Sequence, residues 1–370
     1  MNERRSVTSQ DERWMRRALG LAQRGLTTTW PNPMVGCVVV KQGTIVGEGW
    51  HVEFGRAHAE VEAFAHIPHH VPLDDATAFV TLEPCSHHGK TPPCADMLIE
   101  RRVGRVVVAM TDPNPLVAGR GLARLRAAGI SVAEGCCEVE AMALNRAFVH
   151  TMTHPTPWVT LKWAQTKDGF MDPDLDAEPG RGSKPISGAE SSEHVHTLRS
   201  RHDGIMVGMK TLLVDRPSLT TRMVQGAHPS RVILSNGRTA PPDKWRLPEA
   251  WASSEKPTHL VVPQQADRAT LLAWTELGMH VVQLKTPVWS RSWWQELRES
   301  TGLRAFLVEG GASLLRQAMA SGNWHEIHRI TANSAFTAGL EAPNSPGRQP
   351  DDTRTLGDDL LEVWNLPVLT

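Results

Sequence analysis

The chain has 370 residues, a formal net charge of −1 and 21% charged residues, a length that suggests two domains. Near-balanced charge lacks the basic footprint of a nucleic-acid binder, and the longest apolar runs, such as 38–40 and 106–108, are far too short to span a bilayer. The start MNERRSVTSQDERW has no apolar secretory core, and five cysteines without a disulfide-like pattern fit a reducing cytoplasm.

Trp14, Ala18, Leu21 and Ala22 recur at helical spacing and predict an amphipathic helix over 12–24. Trp-Pro-Asn-Pro at 30–33 is a rigid turn that no helix crosses. A hairpin follows, with strands Val35 to Val40 and Thr44 to Gly49 around a Gln42-Gly43 turn. Helices are predicted over 58–66, 92–101 and 121–128, and strands over 77–82 and 103–110. The order α-β-β-α-β-α-β-α implies a mixed sheet with helices on both faces. This unit closes near residue 150, and His154-Pro155-Thr156-Pro157 reads as a stiff linker.

A second alternating run begins with a strand at Trp158 to Trp163. Strands near 204–208, 231–234, 259–262, 280–284 and 304–308 alternate with helices near 189–200, 267–277 and 312–321. The segment 336–358, rich in Pro, Gly and Asp, reads as an extended loop. The chain carries 13 Trp and no Tyr, which excludes any mechanism that needs a phenol.

His58-Ala59-Glu60 opens a helix, Glu83-Pro84-Cys85 follows, and Cys94 comes after eight more residues. Two thiolates and one imidazole make a three-ligand zinc site with a fourth position open to water. A glutamate that is not a ligand can carry a proton from that water to a departing amine. His-x-Glu followed by Pro-Cys and a second Cys is the order found in zinc deaminases, although the usual spacing is Cys-x-x-Cys and here 86–93 intervene. His66, His69, His70, His87 and His88 lie in loops without this pattern, and Cys37, Cys136 and Cys137 read as structural. In the second half, Val308-Glu309-Gly310-Gly311-Ala312-Ser313 ends a strand in two glycines and starts a helix, where backbone N–H groups can cradle a phosphate or simply form a tight turn. Gly119-Arg120-Gly121 is a weaker candidate that lacks the third glycine of a dinucleotide fingerprint.

The segments PNPMVGCVVV (31–40), GEGWH (47–51), HAEVEA (58–63), TLEPCSHHGKTPPC (81–94) and DPNPLVAGRG (112–121) closely resemble the N-terminal domain of the bifunctional deaminase-reductase family of riboflavin biosynthesis. LKWAQTKDG (161–169), LRSRHDGIMVG (198–208), LLVDRPSLTTR (212–222) and LVEGGASLL (307–315) resemble its reductase domain. The resemblance implies an α/β fold in two parts: a cytidine-deaminase-like three-layer α/β/α domain over 1–150, and a dihydrofolate-reductase-like α/β domain over 155–370. It implies zinc held by His58, Cys85 and Cys94, a proton-shuttling Glu60, and Asn32, His51 and Lys90 around a pyrimidine ribosylamine phosphate. It further implies NADPH against Ala164, Thr211, Asp215, Gly311, Ala312, Ser313 and Leu314. Ser183, Arg199, Leu219, Arg222 and Glu309 would contact the second substrate, the arginines suiting a sugar phosphate. The family usually has Ser at Thr166, often Trp at Pro185 and often Asp or Asn at Arg216. The implied enzyme is a cytoplasmic hydrolase and oxidoreductase with a small-molecule substrate, no nucleic-acid or membrane partner, and an open oligomeric state. Its rivals are an active deaminase with a decayed or structural reductase domain, and a nucleic-acid base deaminase.

Overall fold

A computed structural model describes residues 7–87, 92–173, 185–252 and 255–366. The chain divides into two compact units, Met1–Thr153 and His154–Thr370.

The first unit opens with α1 (Ser9–Ala22), whose start is fixed by a reciprocal capping pair between Thr8 and Asp11. The hairpin β1 (Gly36–Lys41) and β2 (Thr44–Trp50) leads to α2 (Ala59–Ala65) and β3 (Ala76–Val80). Then come α3 (Cys94–Glu100), β4 (Arg105–Val108), α4 (Arg120–Ala127) and β5 (Ser131–Glu134). Two helices, α5 (Glu138–Leu144) and α6 (Arg146–Thr153), close the unit. They were not evident in the sequence, and β5, four residues long, was also missed. The sheet order is β2-β1-β3-β4-β5, with β1 antiparallel to both neighbours and β3, β4 and β5 parallel. The valines of β1 and β4 are buried, in one core with α2, α3 and α4 and another with α1, α5 and α6. Helices therefore cover both faces of the sheet.

Glycines set how closely these layers meet. A Cβ at Gly36 would lie 2.0 Å from the Ala18 carbonyl oxygen, and one at Gly49 would lie 2.4 Å from the Ala63 amide nitrogen. The sheet thus lies against α1 on one side and α2 on the other at a distance only glycine permits.

In the second unit, β6 (Trp158–Thr166) and β7 (Phe170–Asp172) precede α7 (Ala189–Ser200), β8 (Gly204–Gly208) and α8 (Met209–Asp215). The elements β9 (Ser230–Leu234), α9 (Glu249–Ala252), β10 (Thr258–Pro263), α10 (Arg268–Glu276) and β11 (His280–Leu284) follow. Next are α11 (Arg291–Thr301), β12 (Ala305–Gly310), α12 (Ala312–Ser321) and β13 (Glu326–Ala332). The sequence reading missed α11, whose Ser290 cap precedes the buried Trp293, Trp294 and Leu297. The chain ends with β14 (Leu340–Glu341), β15 (Asp352–Leu356) and β16 (Asp359–Asn365). The main sheet runs β11-β10-β9-β8-β12-β6-β13-β16-β15 and is parallel as far as β13. Its last two pairings are antiparallel. Between β12 and β8 the register slips at Val308/Gly310, leaving Glu309 as an extra residue.

The expected loop over 336–358 is corrected by β14 and β15. Strand β15, Asp-Thr-Arg-Thr-Leu, is an exposed edge strand with almost no apolar residues. It pairs with β16 through the two-residue Gly357-Asp358 turn. Among the described residues, no helix is long and apolar enough to cross a membrane.

A buried polar cluster ties α7 to β6. His202 lies with Nδ1 2.6 Å from the Leu198 carbonyl oxygen and Nε2 2.8 Å from Thr160 Oγ1. The Trp158 indole donates to Thr160 Oγ1 at 3.0 Å, and that hydroxyl also reaches Glu326 Oε2 at 3.4 Å. Burial pushes His202 down to about 4, and His194 and His196 are lowered to about 3 and about 4. The unfolded imidazole takes its proton near 6.5, so between that pH and about 4 the unfolded chain binds more protons than the folded one. Stability is therefore expected to fall as pH drops through this window, His202 alone contributing on the order of 3 kcal/mol. Urea midpoints measured between pH 7.5 and 4.5 should show the decline, and His202→Gln should make it shallower, with His194 and His196 keeping the remainder.

Candidate functional site

The N-terminal unit holds a cavity of about 350 Å³. His58 caps the start of α2, Glu60 sits in the first turn of that helix, Cys85 follows the end of β3, and Cys94 is the first residue of α3. The glycines of β2 that let α2 lie close therefore help place His58 and Glu60. His58 Nδ1 lies 3.5 Å from Cys85 Sγ and 3.3 Å from Cys94 Sγ, and the three donor atoms lie within 4.8 Å of one another. A tetrahedral zinc with ordinary Zn–N and Zn–S bonds requires about 3.5 Å between such donors. The residues therefore fit zinc. The Cys94 amide donates to Cys85 Sγ at 3.2 Å, fixing the two cysteines across the intervening loop.

The charges suit the same chemistry. The Cys85 thiol is pulled below the usual thiol range, chiefly by its hydrogen bond with Cys94 and also by His58. Cys94 is pushed up by that hydrogen bond and by burial. Glu60 is raised to about 7 by burial and then by the Cys85 charge, so the carboxyl can take or give a proton near neutrality. Cys37, fully buried in β1, is driven well above the usual thiol range by burial and is not part of this cluster.

Asn32 and His51 line the cavity. His51 Nδ1 lies 2.9 Å from the Ala57 carbonyl oxygen, and burial lowers its pKa, so the ring is neutral and Nε2 is an acceptor. Asn32 Nδ2 donates to it at 3.1 Å, which sets the amide orientation. The turn bearing Asn32 is held by Asn145, whose side chain bonds both the amide and the carbonyl of Met34. Lys90 and His88 lie outside the described residues. The cavity also includes His87, Asp112, Asn114, Val117 and Glu83. His87 is therefore brought to the cavity although its loop position gives no sign of it in the sequence. A usable signal lay in Asp112-Pro113-Asn114: the side-chain oxygens of Asp112 and Asn114 each accept an amide two residues on, at 2.9 and 3.1 Å.

In the C-terminal unit a cavity of about 590 Å³ is lined by Thr211, Asp215, Gly311, Ala312, Ser313 and Leu314, together with Lys210, Ser235, Trp289 and Arg316. Gly311 has φ +82°, and its absent side chain would stand 3.4 Å from Thr211 Oγ1. The start of α12 therefore faces α8, with amide groups available to a pyrophosphate. Ala164 is not among the lining residues. It packs against Val195, Ile330, Leu361 and Val363.

Arg199 is nearly buried and donates from Nε and Nη2 to both oxygens of Glu309, at 2.8 and 2.7 Å. Its Nη1 donates to the Thr220 carbonyl. Burial acts to raise Glu309, but the Arg199 charge and hydrogen bonds, helped by Lys162, hold it at about 2. Arg199 is thus committed within the protein, whereas the exposed Arg222 donates only to the hydroxyls of Ser218 and Thr220 among the contacts seen. Leu219 is buried with φ +50°. Lys162, its pKa lowered by burial, completes the charged cluster and was not singled out from the sequence. Ser183 lies outside the described residues. The Arg216 guanidinium stacks 4.6 Å from the Trp245 ring and is absent from the cavity lining, and Pro185 is exposed. Thr166 donates to Asp168 and accepts from the Phe170 amide, shaping the turn after β6.

Purified protein is expected to carry about one zinc per chain. Cys85→Ser and Cys94→Ser should each lose the metal, and full occupancy of both by elemental analysis would overturn the ligand assignment.

Comparison with known proteins agrees with both cavities. Residues 8–110 match the model of the cytidine and deoxycytidylate deaminase zinc-binding region, and 157–353 match that of the RibD C-terminal domain. The chain is 39% identical to riboflavin biosynthesis protein RibD of Actinobacillus pleuropneumoniae, covering 87% of this chain and 83% of that protein. It is 37% identical to the Aquifex aeolicus protein of the same name, covering 95% and 97%. The solved structure of Acinetobacter baumannii RibD superposes with a TM-score of 0.79 at 33% identity, over 96% of this chain and 98% of that one. A Thermotoga maritima diaminohydroxyphosphoribosylaminopyrimidine deaminase/5-amino-6-(5-phosphoribosylamino)uracil reductase gives 0.77 at 31%, with the same coverage. With both halves matched and relatives aligned over most of their length, the chain belongs to the RibD family of riboflavin-biosynthesis proteins.

Proposed function

We propose that this chain performs two consecutive steps of riboflavin biosynthesis. The unit over 1–150 deaminates 2,5-diamino-6-ribosylamino-4(3H)-pyrimidinone 5′-phosphate, and the unit over 155–370 reduces the ribosyl group of the product to a ribityl chain. Zinc and NADPH are the cofactors. The observation that carries the reading is the convergence of the His58, Cys85 and Cys94 donor atoms at a cavity whose wall includes His58, Cys85 and Glu60.

His58, Cys85 and Cys94 would hold zinc, which when bound supplies a Lewis acid that makes water a nucleophile near neutral pH. Glu60 would move the proton from the water to the leaving amine, a task suited to a carboxyl titrating near 7. Asn32 and the neutral His51 would orient the pyrimidine by hydrogen bonds. In the second unit the amides at the start of α12 would hold the pyrophosphate of NADPH, which supplies a hydride equivalent. Arg222 is better suited than Arg199 to the substrate phosphate, because Glu309 already takes the Nε and Nη2 edge of the Arg199 guanidinium. The departures at Arg216 and Pro185 fall outside the cavity wall and give no support to a decayed reductase. The net charge of −1 gives none to a nucleic-acid substrate.

The reading is tested by incubating the protein with the pyrimidine substrate, with and without NADPH, and resolving the products by mass spectrometry. Glu60→Gln should keep zinc and lose deamination by about 10²–10⁴-fold, yet still reduce deaminated intermediate supplied from outside. Gly311→Asp should spare ammonia release and abolish NADPH oxidation, since a carboxylate would meet the cofactor phosphates at a left-handed position. Normal NADPH oxidation by that variant would remove the phosphate-cradle assignment.

A further inference from the structure

Glu83 sits between β3 and the metal ligand Cys85, is 6% exposed and lines the deaminase cavity. Its carboxylate accepts four backbone amides from a distant stretch of chain. Oε2 takes Asp112 at 3.1 Å and Gly119 at 2.8 Å, while Oε1 takes Gly121 at 2.8 Å and Leu122 at 3.4 Å. Three of these amides belong to the start of α4, whose cap, Gly119, has no side chain to satisfy them. Glu83 therefore caps α4 from another part of the fold, with its negative charge at the positive end of the helix. Both glycines are required. Gly119 has φ +77°, and a Cβ at Gly121 would lie 2.0 Å from the Pro84 carbonyl oxygen. The Gly-Arg-Gly stretch thus has a physical role that involves no dinucleotide.

The segment held in this way, 112–121, carries Asp112, Asn114 and Val117 into the cavity wall. A neutral amide at position 83 could accept through only one oxygen and would set its own N–H groups against backbone donors.

We propose that Glu83 is the positioning residue of the deaminase cavity: by gathering the amides of 112, 119, 121 and 122 it sets the wall formed by Asp112, Asn114 and Val117, and so governs substrate affinity. The link to affinity rests on the deaminase reading above, whereas the clasp itself is a property of the fold. The function of Glu83 is thereby separate from that of Glu60, which handles the proton.

The test is Glu83→Gln in the zinc-loaded full-length chain. Hydrogen exchange read by mass spectrometry is expected to accelerate about tenfold or more over 112–122, with β1 and β3 unchanged. Zinc content should stay at that of wild type. KM for the pyrimidine substrate should rise about tenfold with kcat within about twofold, the pattern of lost uniform binding. Unchanged exchange over 112–122 overturns the clasp, and so does acceleration throughout the unit or loss of zinc, which would make Glu83 a general support of the fold. Altered exchange with unchanged KM overturns the link to affinity and leaves the deaminase reading intact. Absence of any deamination by wild type would instead remove that reading. Should the variant not fold, wild type decides the clasp: the amides of Gly119 and Gly121 are expected to exchange at least about tenfold more slowly than those of the exposed turn at Gly55, and equal rates overturn it.

Discussion

The N-terminal unit depends on one constraint: two helix starts and a strand end must meet within a few ångströms. His58 arrives at the start of α2, Cys94 at the start of α3, and Cys85 on the turn leaving β3. Their donor atoms lie at distances suited to one small cation. Everything that brings α2 against the sheet serves this convergence, above all Gly49, where any side chain would collide with the backbone of Ala63. The same closeness buries Glu60 and moves its titration to near neutral pH, so the packing that gathers the metal-binding side chains also tunes the carboxyl beside them.

The C-terminal unit reaches its site by different means. Its cavity opens where parallel strands end, at Gly208 of β8, Leu234 of β9 and Pro263 of β10, the edge where α/β sheets commonly bind ligands. Its charged neighbours are not free groups awaiting a ligand. Arg199 and Glu309 hold each other in a nearly dry pair, and removing either partner would strand a buried charge. The unit thus keeps its open cavity apart from a charged cluster that the protein itself holds in order.

The metal set was legible because its order along the chain is itself the chemical pattern. His, Glu, Pro-Cys and Cys could be read before any contact was known. The α12 start was legible for a similar reason, two glycines between a strand and a helix. Glu83 was not, because its role depends on backbone amides brought from elsewhere, and amides have no sequence signature. Strand β15 escaped notice because an exposed edge strand lacks the apolar alternation by which strands are recognised. The partner of Arg199, Glu309, required the fold, because the two lie 110 residues apart in sequence.

The slipped register in β12 has a further meaning. A strand that paired regularly with β8 would be one residue shorter between Val308 and Gly310, and Glu309 is the residue it would omit. Deleting it would improve the ladder and destroy the cluster with Arg199, so the most regular sheet and the working site are incompatible at this point. Position 309 is therefore constrained in length as well as in identity: a substitution there changes what faces Arg199, and a deletion removes that partner altogether.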